Sequence, residues 1–322
     1  MAPTVSIITA TFNSGRYLSN YCRMLDEQTY TDWEAIIVDD GSTDDTVDRI
    51  KAKAALDMRY KLVQKLPEGL PSRSRARGLA EAAGRYVAFC DHDDFWAPQK
   101  LSMQVLVLAR HADTAILHTD RVVWKTLDYP TTPFHFALPL AKVPVSEQRP
   151  EQVIYRGLQI IFSSFIAERE LVRSIGFHPD LRGVDDFYLF ARLAQCGTIR
   201  RIDLPLTYYY AHHGNLSHTS NIFVEGFYKV AEALQNDPVS KQVQRSVLAQ
   251  ACRTEAVSLL AVDRVKALRL LVRSLRLYFI PSTLNRLGFL LATFYVPVPA
   301  QTLLFKQIKR LKFLFPTWRD LF

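Results

Sequence analysis

The chain has 322 residues, of which 48 % are hydrophobic and 22 % charged, a balance that excludes an extensively disordered protein and allows one large α/β domain with an appendage or two modest domains. The net charge of +8 is unevenly placed: from Asp263 onward 11 Lys or Arg stand against two Asp, whereas the residues before it carry 29 basic against 30 acidic groups, so two surfaces with different partners are expected. Four scattered cysteines, Cys22, Cys90, Cys196 and Cys252, form no Cys-x-x-Cys, which argues against a disulfide framework or zinc site and for buried thiols in a reducing compartment.

The amino terminus enters a strand-like run without a basic segment, so a cytoplasmic protein is expected. Val5 to Ala10 reads as a buried strand, and after the turn Asn13-Ser14-Gly15 a helix places Leu18, Cys22 and Leu25 on one face. Glu34 to Asp40 is an apolar strand ending in carboxylates. Gly41 to Asp45 then supplies a turn, an N-cap hydroxyl and acidic residues for a helix that buries Val47, Ile50 and Ala54. Tyr60 to Gln64 is a third strand, Ser72 to Ala83 a basic-faced helix, and Tyr86 to Cys90 a fourth strand. Strands alternating with single helices predict an α/β fold with a mostly parallel sheet flanked by helices, and ligands in such sheets bind outside the carboxyl ends of the strands.

Pro98 suits the first position of a helix running to Arg110, and Ala115 to Thr119 is a further strand. From Leu127 to Pro150 the pattern dissolves into a segment with five prolines, read as a functional loop. Ile160 to Ala167 regains regularity, Asp185-Asp186-Phe187 opens a helix that Gly197 would end, and Thr198 to Asp203 and Leu206 to Ala211 complete the strands. Beyond Phe223 only helices are expected: Val224 to Leu234, one starting at Asp237-Pro238, one opened by Asp263 with Val265, Leu268, Val272 and Leu275 on a face, and one capped by Ser282.

The fourth strand ends in Asp91-His92-Asp93-Asp94. If the strand stays extended, Asp91 and Asp93 share a face and can point at one hard divalent cation, Mg2+ or Mn2+; a solvated acidic turn is the competing reading.

Several spaced stretches together resemble family 2 of the glycosyltransferases, enzymes with the A-type nucleotide-diphospho-sugar transferase fold. The likeness runs from about Val5 to Ser217. Val5 to Asn13 resembles the family's opening strand and turn, Val38 to Asp44 its nucleotide-binding turn, and Ser74-Arg75-Ala76-Arg77-Gly78 the segment before the metal strand, with Ala76 where asparagine is usual. Asp91 to Leu101 fits the acidic metal motif, Asp185-Asp186 the Glu-Asp pair, and Tyr209 to Ser217 a closing segment that normally has arginine where Tyr210 stands.

The resemblance implies a catalytic domain over 1–222, with a donor half to about residue 120 and an acceptor half after it, followed by a helical, basic C-terminal region over 223–322. It implies an inverting, metal-dependent transfer from a nucleoside diphosphate sugar, uridine or thymidine, to a hydroxyl of a surface glycan or lipid-linked acceptor. Ala10, Phe12, Asp39, Asp40, Arg75, Asp91 and His212 would hold the donor, Asp93 and Asp91 the metal, and Asp186, with Asp185 second, would be the base.

Each role has a physical warrant and a plainer rival. Asp39 or Asp40 can accept a pyrimidine imide N–H while Phe12 stacks, or both acids can serve the turn. Arg75 can meet phosphates, or face solvent. Asp186 can take the acceptor's proton, or Asp185 and Asp186 can simply complement a helix dipole that keeps their pKa low. His212 and His213 are alternatives for one contact to the diphosphate or metal; Trp96 and Trp124 can stack on sugar rings, though Trp96, directly after the metal motif, is expected to form the donor pocket or pack under it. A membrane-associated sugar-nucleotide scaffold without turnover is the rival function; a receiver domain and a nucleotidyltransferase fit less well.

In the tail, Leu287 to Phe305 lacks charged residues but is broken by Pro297 and Pro299 and bounded by Arg286 and Lys306. Basic amphipathic helices there fit lying on the inner face of the plasma membrane better than spanning it, and no nucleic-acid reading module is present.

Overall fold

The structure, a computed structural model, describes residues 2–127, 142–150, 153, 160–212, 220–235, 237, 239–259 and 262–277. The chain separates into two compact units, one comprising residues 1–219 with 237–239 and the other 220–236 with 240–322.

In the first unit nine strands among the described residues form one mixed sheet: β1 (Val5–Thr11), β2 (Trp33–Asp39), β3 (Tyr60–Gln64), β4 (Tyr86–Phe89), β5 (Phe95–Trp96), β6 (Thr114–Trp124), β7 (Val145–Gln148), β8 (Phe165–Glu168) and β9 (Thr198–Tyr210). The order is β3-β2-β1-β4-β8-β6-β9-β5, with β7 also on β9. The run β3-β2-β1-β4 is parallel throughout, joined by helices α1 (Gly15–Asp26), α2 (Thr46–Leu56) and α3 (Pro71–Glu81). Strand β8 enters antiparallel between β4 and β6, and β6 pairs β9 in parallel. Two reversals restore direction, so β6 and β9 end at the same edge as β1 to β4. The chain's acidic stations meet at that edge.

Strand β1 and β2 are buried along nearly their whole lengths because both faces of the sheet are covered. On one face Ile7, Ala35 and Ile37 pack with Leu18, Tyr21 and Leu25 of α1 and with Leu101 of α4 (Lys100–Arg110). On the other, α3 lies so close that a Cβ on Gly78 would come within 2.5 Å of Ile8 Cγ2, which is why this helix carries glycine at its point of contact. Further along that layer Phe89, Phe165 and Phe162 join Phe190 of α6 (Asp185–Leu193), which follows the short α5 (Arg169–Ile175).

Several local expectations are corrected. Helix α2 has Asp45 at its N-cap with no capping side-chain bond, and Asp44 rather than a hydroxyl receives the N–H of Thr46, at 3.0 Å. Helix α4 begins at Lys100, because the carbonyl of Pro98 is taken by the N–H of Thr29. Part of the proline-rich segment is strand, since Val145–Gln148 pairs with β9; residues 128–141 lie outside those described. The run that regains regularity from Ile160 opens with a 3-10 turn, Phe162–Ser164, and continues as β8. Strand β9 is continuous through Pro205 because register shifts opposite Thr119, Asp120 and Arg121 absorb it. All four cysteines are free thiols, and Cys196 is exposed rather than buried.

The second unit packs α7 (Ser220–Ala233), α8 (Lys241–Leu259) and α9 (Arg264–Leu277). The second of these starts after Ser240, whose Oγ accepts the N–H of Val243 at 3.2 Å, and not at Asp237-Pro238. The face of α9 that is buried is Ala267, Leu270, Leu271 and Ser274, against Cys252 and Ala256; Val265 is exposed, so the expected stripe is rotated. No helix among the described residues is long and apolar enough to cross a membrane. The stretch Leu287 to Phe305, the Ser282 cap and the basic residues after it lie outside the described residues.

Candidate active site

The nucleotide-type turn is built by lacing the loop after β1 to the loop after β2. Asn13, with φ of 50°, donates its N–H to Ser42 Oγ at 2.8 Å and accepts the N–H of Thr43 on Oδ1 at 2.8 Å. Gly15 and Ser14 donate to Asp44 and Thr46 from the other side. Phe12 is left with its ring 53 % exposed at the rim, open to a stacking partner, and Ala10 turns its carbonyl to the ring of His92 at 3.3 Å.

The two acids of the turn differ. Asp39 is consumed by it, accepting the N–H groups of Gly41 and Ser42 at 3.1 and 3.0 Å and the Ser42 hydroxyl. Asp40, buried, pairs with Lys65 and receives the N–H groups of Glu68 at 3.0 Å and Gly69 at 2.8 Å. Burial works against its charge, but these donors outweigh it and hold the carboxyl below its ordinary range.

At the end of β4 the chain leaves the sheet before the acids, so Asp91 and Asp93 do not converge by strand alternation. Asp91 to Asp94 form a turn closed by the N–H of Asp94 on the carbonyl of Asp91 at 3.1 Å, and each carboxylate finds its own partner. Asp91 Oδ1 takes Arg75 Nη2 at 3.0 Å. Asp93 Oδ2 meets His212 Nε2 at 2.8 Å, and although burial opposes its charge, His212 and His92 hold its pKa down. Asp94, 1 % exposed, accepts the N–H of Tyr210 at 3.0 Å, and burial beside Asp93 and Asp91 drives its pKa far up. Near Asp93 the rings of His92, His212 and Tyr210 lie 5.2, 5.8 and 6.4 Å from that of Tyr17, and Tyr210 and His212 lie 4.8 Å apart.

Arg75 is not a solvated helix residue. It sits on the buried side of α3, its guanidinium 4.1 Å above the Phe162 ring, with Nη1 on Asp185 Oδ2 at 2.9 Å and Nη2 on Asp91. Burial lowers its pKa, but Asp185 and Asp91 together push it up, so the charge is fixed. One planar fork therefore ties the end of β4 to the start of α6.

Asp185 and Asp186 occupy the first turn of α6, where the dipole would keep them ionised. Desolvation wins instead. Burial raises Asp185 despite Arg75, and burial together with the Asp185 charge pushes Asp186 up to about 8, against the N–H that Phe187 gives it at 2.8 Å. Trp96 is 1 % exposed, donates Nε1 to the carbonyl of Ser163 at 2.6 Å, and carries Lys100 Nζ at 3.7 Å over its ring; it supports the turn from beneath and cannot stack on a sugar. Trp124 packs edge-on to Tyr208. His213 lies outside the described residues.

Sequence reasoning missed Lys65, Tyr17, Ser163 and Phe162 as parts of this site, because each reaches it only through the sheet's assembly. His92 was the one with a signal, lying inside the acidic motif.

For a cation, no group of three or more His, Cys, Asp or Glu among the described residues converges as a ready-made site. The donor set still fits Mg2+ or Mn2+, which bind through one or two carboxylates and complete their shell with substrate phosphate and water: Asp91 and Asp93 stand on one turn, and His212, just past the end of β9, meets Asp93.

A sheet whose parallel half ends in a nucleotide-type turn and an acidic turn, with an acid pair facing them from a helix start, defines a nucleotide-diphospho-sugar transferase fold of the A type. The description Glycosyl transferase family 2 matches residues 6–176, and the chain belongs to that family. It is similar to the putative teichuronic acid biosynthesis glycosyltransferase TuaG of Bacillus subtilis (strain 168), 38 % identical over 103 residues, 32 % of this chain and 41 % of that protein. It is also similar to the UDP-Glc:alpha-D-GlcNAc-diphosphoundecaprenol beta-1,3-glucosyltransferase WfgD of Escherichia coli, 35 % identical over 107 residues, 33 % of this chain and 42 % of that one. The matched stretch spans less than half the length of these relatives. In fold it resembles S. aureus TarS 1-349, solved with UDP-GlcNAc, with a TM-score of 0.66 at 19 % identity over 91 % of this chain and 88 % of that one. The mannosyltransferase PcManGT of Pyrobaculum calidifontis, solved with GDP-Man and Mn2+, follows at 0.56 and 18 % identity over 90 % and 84 %.

Proposed function

We propose that the protein is an inverting, divalent-metal-dependent glycosyltransferase that moves a sugar from a uridine or thymidine diphosphate donor to a hydroxyl of a surface glycan or lipid-linked acceptor. The observation that carries this reading is the Arg75 fork, which ties Asp91 of the acidic turn to Asp185 of the acid pair. It supports one reaction space flanked by diphosphate-side and acceptor-side carboxylates.

On this reading Phe12 stacks on the base and Asp40, already oriented by Lys65 and two backbone donors, accepts its imide N–H with a remaining lone pair. Asp39, spent on its own turn, shapes the loop. Ala10 and His92 line the floor between base and diphosphate. Asp91, Asp93 and His212 would hold Mn2+ or Mg2+, which supplies Lewis-acid stabilisation to the departing diphosphate when bound. Arg75 positions Asp91 and Asp185 and adds fixed positive charge. Asp186, raised to about 8, is matched to accept a proton near neutral pH. The acceptor oxygen attacks the anomeric carbon, its proton passes to Asp186, and the bond to the diphosphate oxygen breaks with its electron pair leaving on the nucleoside diphosphate. A single displacement inverts the anomeric centre.

Residues 1–222 would form this catalytic domain, and residues 223–322, with the excess of basic groups after Asp263, would bring it to the anionic inner face of the plasma membrane. The test of the reaction is metal-dependent release of nucleoside diphosphate with NMR assignment of the product anomer. Loss of release in Asp186→Asn with an inverted wild-type product is expected; a product retaining the donor's configuration would overturn the mechanism.

A further inference from the structure

The acidic turn is braced by one short segment, the 3-10 turn Phe162–Ser164. Ser163 is fully buried, and its Oγ accepts the N–H of Asp91 at 3.0 Å. Its own proton remains to be given, and the Asp94 carboxyl receives it, a bond that works against the rise of that group's pKa. One hydroxyl thus spans the first and last acids of the turn, with Asp93 between them. Asp91 is also held through its side chain from the same segment: the Phe162 ring carries the Arg75 guanidinium at 4.1 Å, and Arg75 Nη2 meets the Asp91 carboxylate at 3.0 Å. At the other end Asp94 accepts the N–H of Tyr210, two residues before His212, whose Nε2 meets Asp93.

The brace is itself fixed. Ser164 Oγ donates to the carbonyl of Ile161 at 2.8 Å and accepts the N–H of Ile161 at 3.3 Å, which closes the 3-10 turn. The Ser163 carbonyl takes Trp96 Nε1 at 2.6 Å, and the Ser164 carbonyl takes Gln104 Nε2 at 3.0 Å, whose Oε1 receives Lys100 Nζ at 2.9 Å. Ser163 is therefore bound on one side to β5 and α4 and on the other to the acids. A buried hydroxyl costs free energy unless its bonds are made, and no apolar side chain could make either of these. The fold uses the same device once more. Ser6 Oγ, equally buried, accepts the N–H of Gly84 at 2.8 Å and donates to Glu34 Oε1 at 2.6 Å. It lies near the start of β1, at the opposite edge of the sheet from the site, so it shows what losing such a hydroxyl costs in stability alone.

We propose that Ser163 is the positioning residue of the acidic turn, setting Asp91 against Asp94 and so placing Asp93 between them for a divalent cation. The proposal rests on the metal-dependent reading above. Ser163 touches neither cation nor substrate; it acts through the amide of Asp91 and the carboxyl of Asp94, as groups that orient metal ligands do.

The experiment uses the full chain as wild type, Ser163→Ala, Ser163→Cys and Ser6→Ala, with calorimetric titration of UDP in Mn2+ and in EDTA, and urea melts for stability. Ser163→Ala should weaken UDP binding about 10- to 100-fold in Mn2+, the usual cost of removing a group that orients a metal ligand, and leave it unchanged in EDTA. Ser163→Cys, which keeps the volume but makes weaker bonds, should fall between Ser163→Ala and wild type in Mn2+. Ser6→Ala should lose stability as Ser163→Ala does and yet bind UDP as wild type in both conditions. The proposal is overturned if Ser163→Ala binds UDP in Mn2+ as tightly as wild type, if its affinity falls in parallel in EDTA, or if Ser6→Ala weakens the Mn2+ arm equally, since destabilisation would then account for the loss. If Ser163→Ala does not melt cooperatively, Ser163→Cys decides by the same comparison: a loss confined to the Mn2+ arm supports the proposal, and wild-type affinity overturns it. Equal UDP affinity of wild type in Mn2+ and EDTA is a different outcome, which would overturn the metal reading itself and this proposal with it.

Discussion

Replacing Arg75 by methionine tests the link between the two halves of the site, because methionine keeps much of the contact with Phe162 while removing the fork. The side chain is 11 % exposed, against 3 % for Asp185 and 39 % for Asp91. The Asp91 arm is solvent-screened and worth at most about 1 kcal/mol. The Asp185 arm is buried, and stranding a buried carboxylate by removing its partner costs about 3–5 kcal/mol, offset by about 0.5–1 kcal/mol from the helix N-terminus. A net loss of about 3 kcal/mol is expected, a drop of roughly 6–12 °C for a unit of this size.

The sign with pH follows from burial. Asp185 is already raised, and without Arg75 its folded pKa rises further above the unfolded value near ~4. The folded variant then holds its proton more tightly than the unfolded chain. Its stability is greatest below the unfolded pKa and is lost as pH rises towards the folded one, so the gap from wild type widens from pH 5 to pH 8. Urea melts of wild type, Arg75→Met, Asp185→Asn and the double variant over that range supply the measurement. The double variant should recover about 2 kcal/mol or more relative to the sum of the singles. Additive losses, or a gap that narrows with rising pH, would refute the reasoning.

Asp186→Asn should lower turnover by about 10²–10⁴-fold, and the wild-type rate, measured with saturating donor, should climb as the carboxyl ionises towards about 8. The same raised pKa means that the wild type loses stability between the ordinary carboxylate range and pH 8, so melting curves should show Asp186→Asn gaining on it at pH 9 relative to pH 5. Asp93→Asn should abolish the Mn2+-dependent part of UDP binding in calorimetry, and EDTA should do the same to wild type. Gly78→Ala should cost about 1–3 kcal/mol in a denaturant melt, because its methyl would meet Ile8 Cγ2 at 2.5 Å on the buried side of α3. Ending the chain after Leu277, which spares the packed stripe of α9, should shift the protein from vesicles containing anionic lipid to the supernatant; unchanged partition would remove the membrane reading.

The strands β1 to β4 and their helices were legible because each is a short-range pattern: apolar runs of strand length, turn residues between them, and helical faces such as Leu18 with Leu25. Family resemblance rested on order and spacing, which survive without coordinates. Element edges were less legible where a tertiary contact overrode local preference. Pro98 gave its carbonyl to Thr29 before α4 could start, Pro205 was absorbed by register shifts against β6, and α9 turned Ala267 and Leu271 inward because Cys252 and Ala256 lie opposite.

By itself, then, the sequence determined which residue types stand at the ends of which strands, since burial and turn chemistry are written locally. Only the tertiary structure decided what those residues touch. Strand alternation was expected to pair Asp91 with Asp93, yet a turn sends one to Arg75 and the other to His212. A helix start was a reason to expect Asp186 ionised, yet burial beside Asp185 pushes it to about 8. Charge, burial and partnership are properties of contacts between distant segments, and those come into being only when the sheet closes the distance between them.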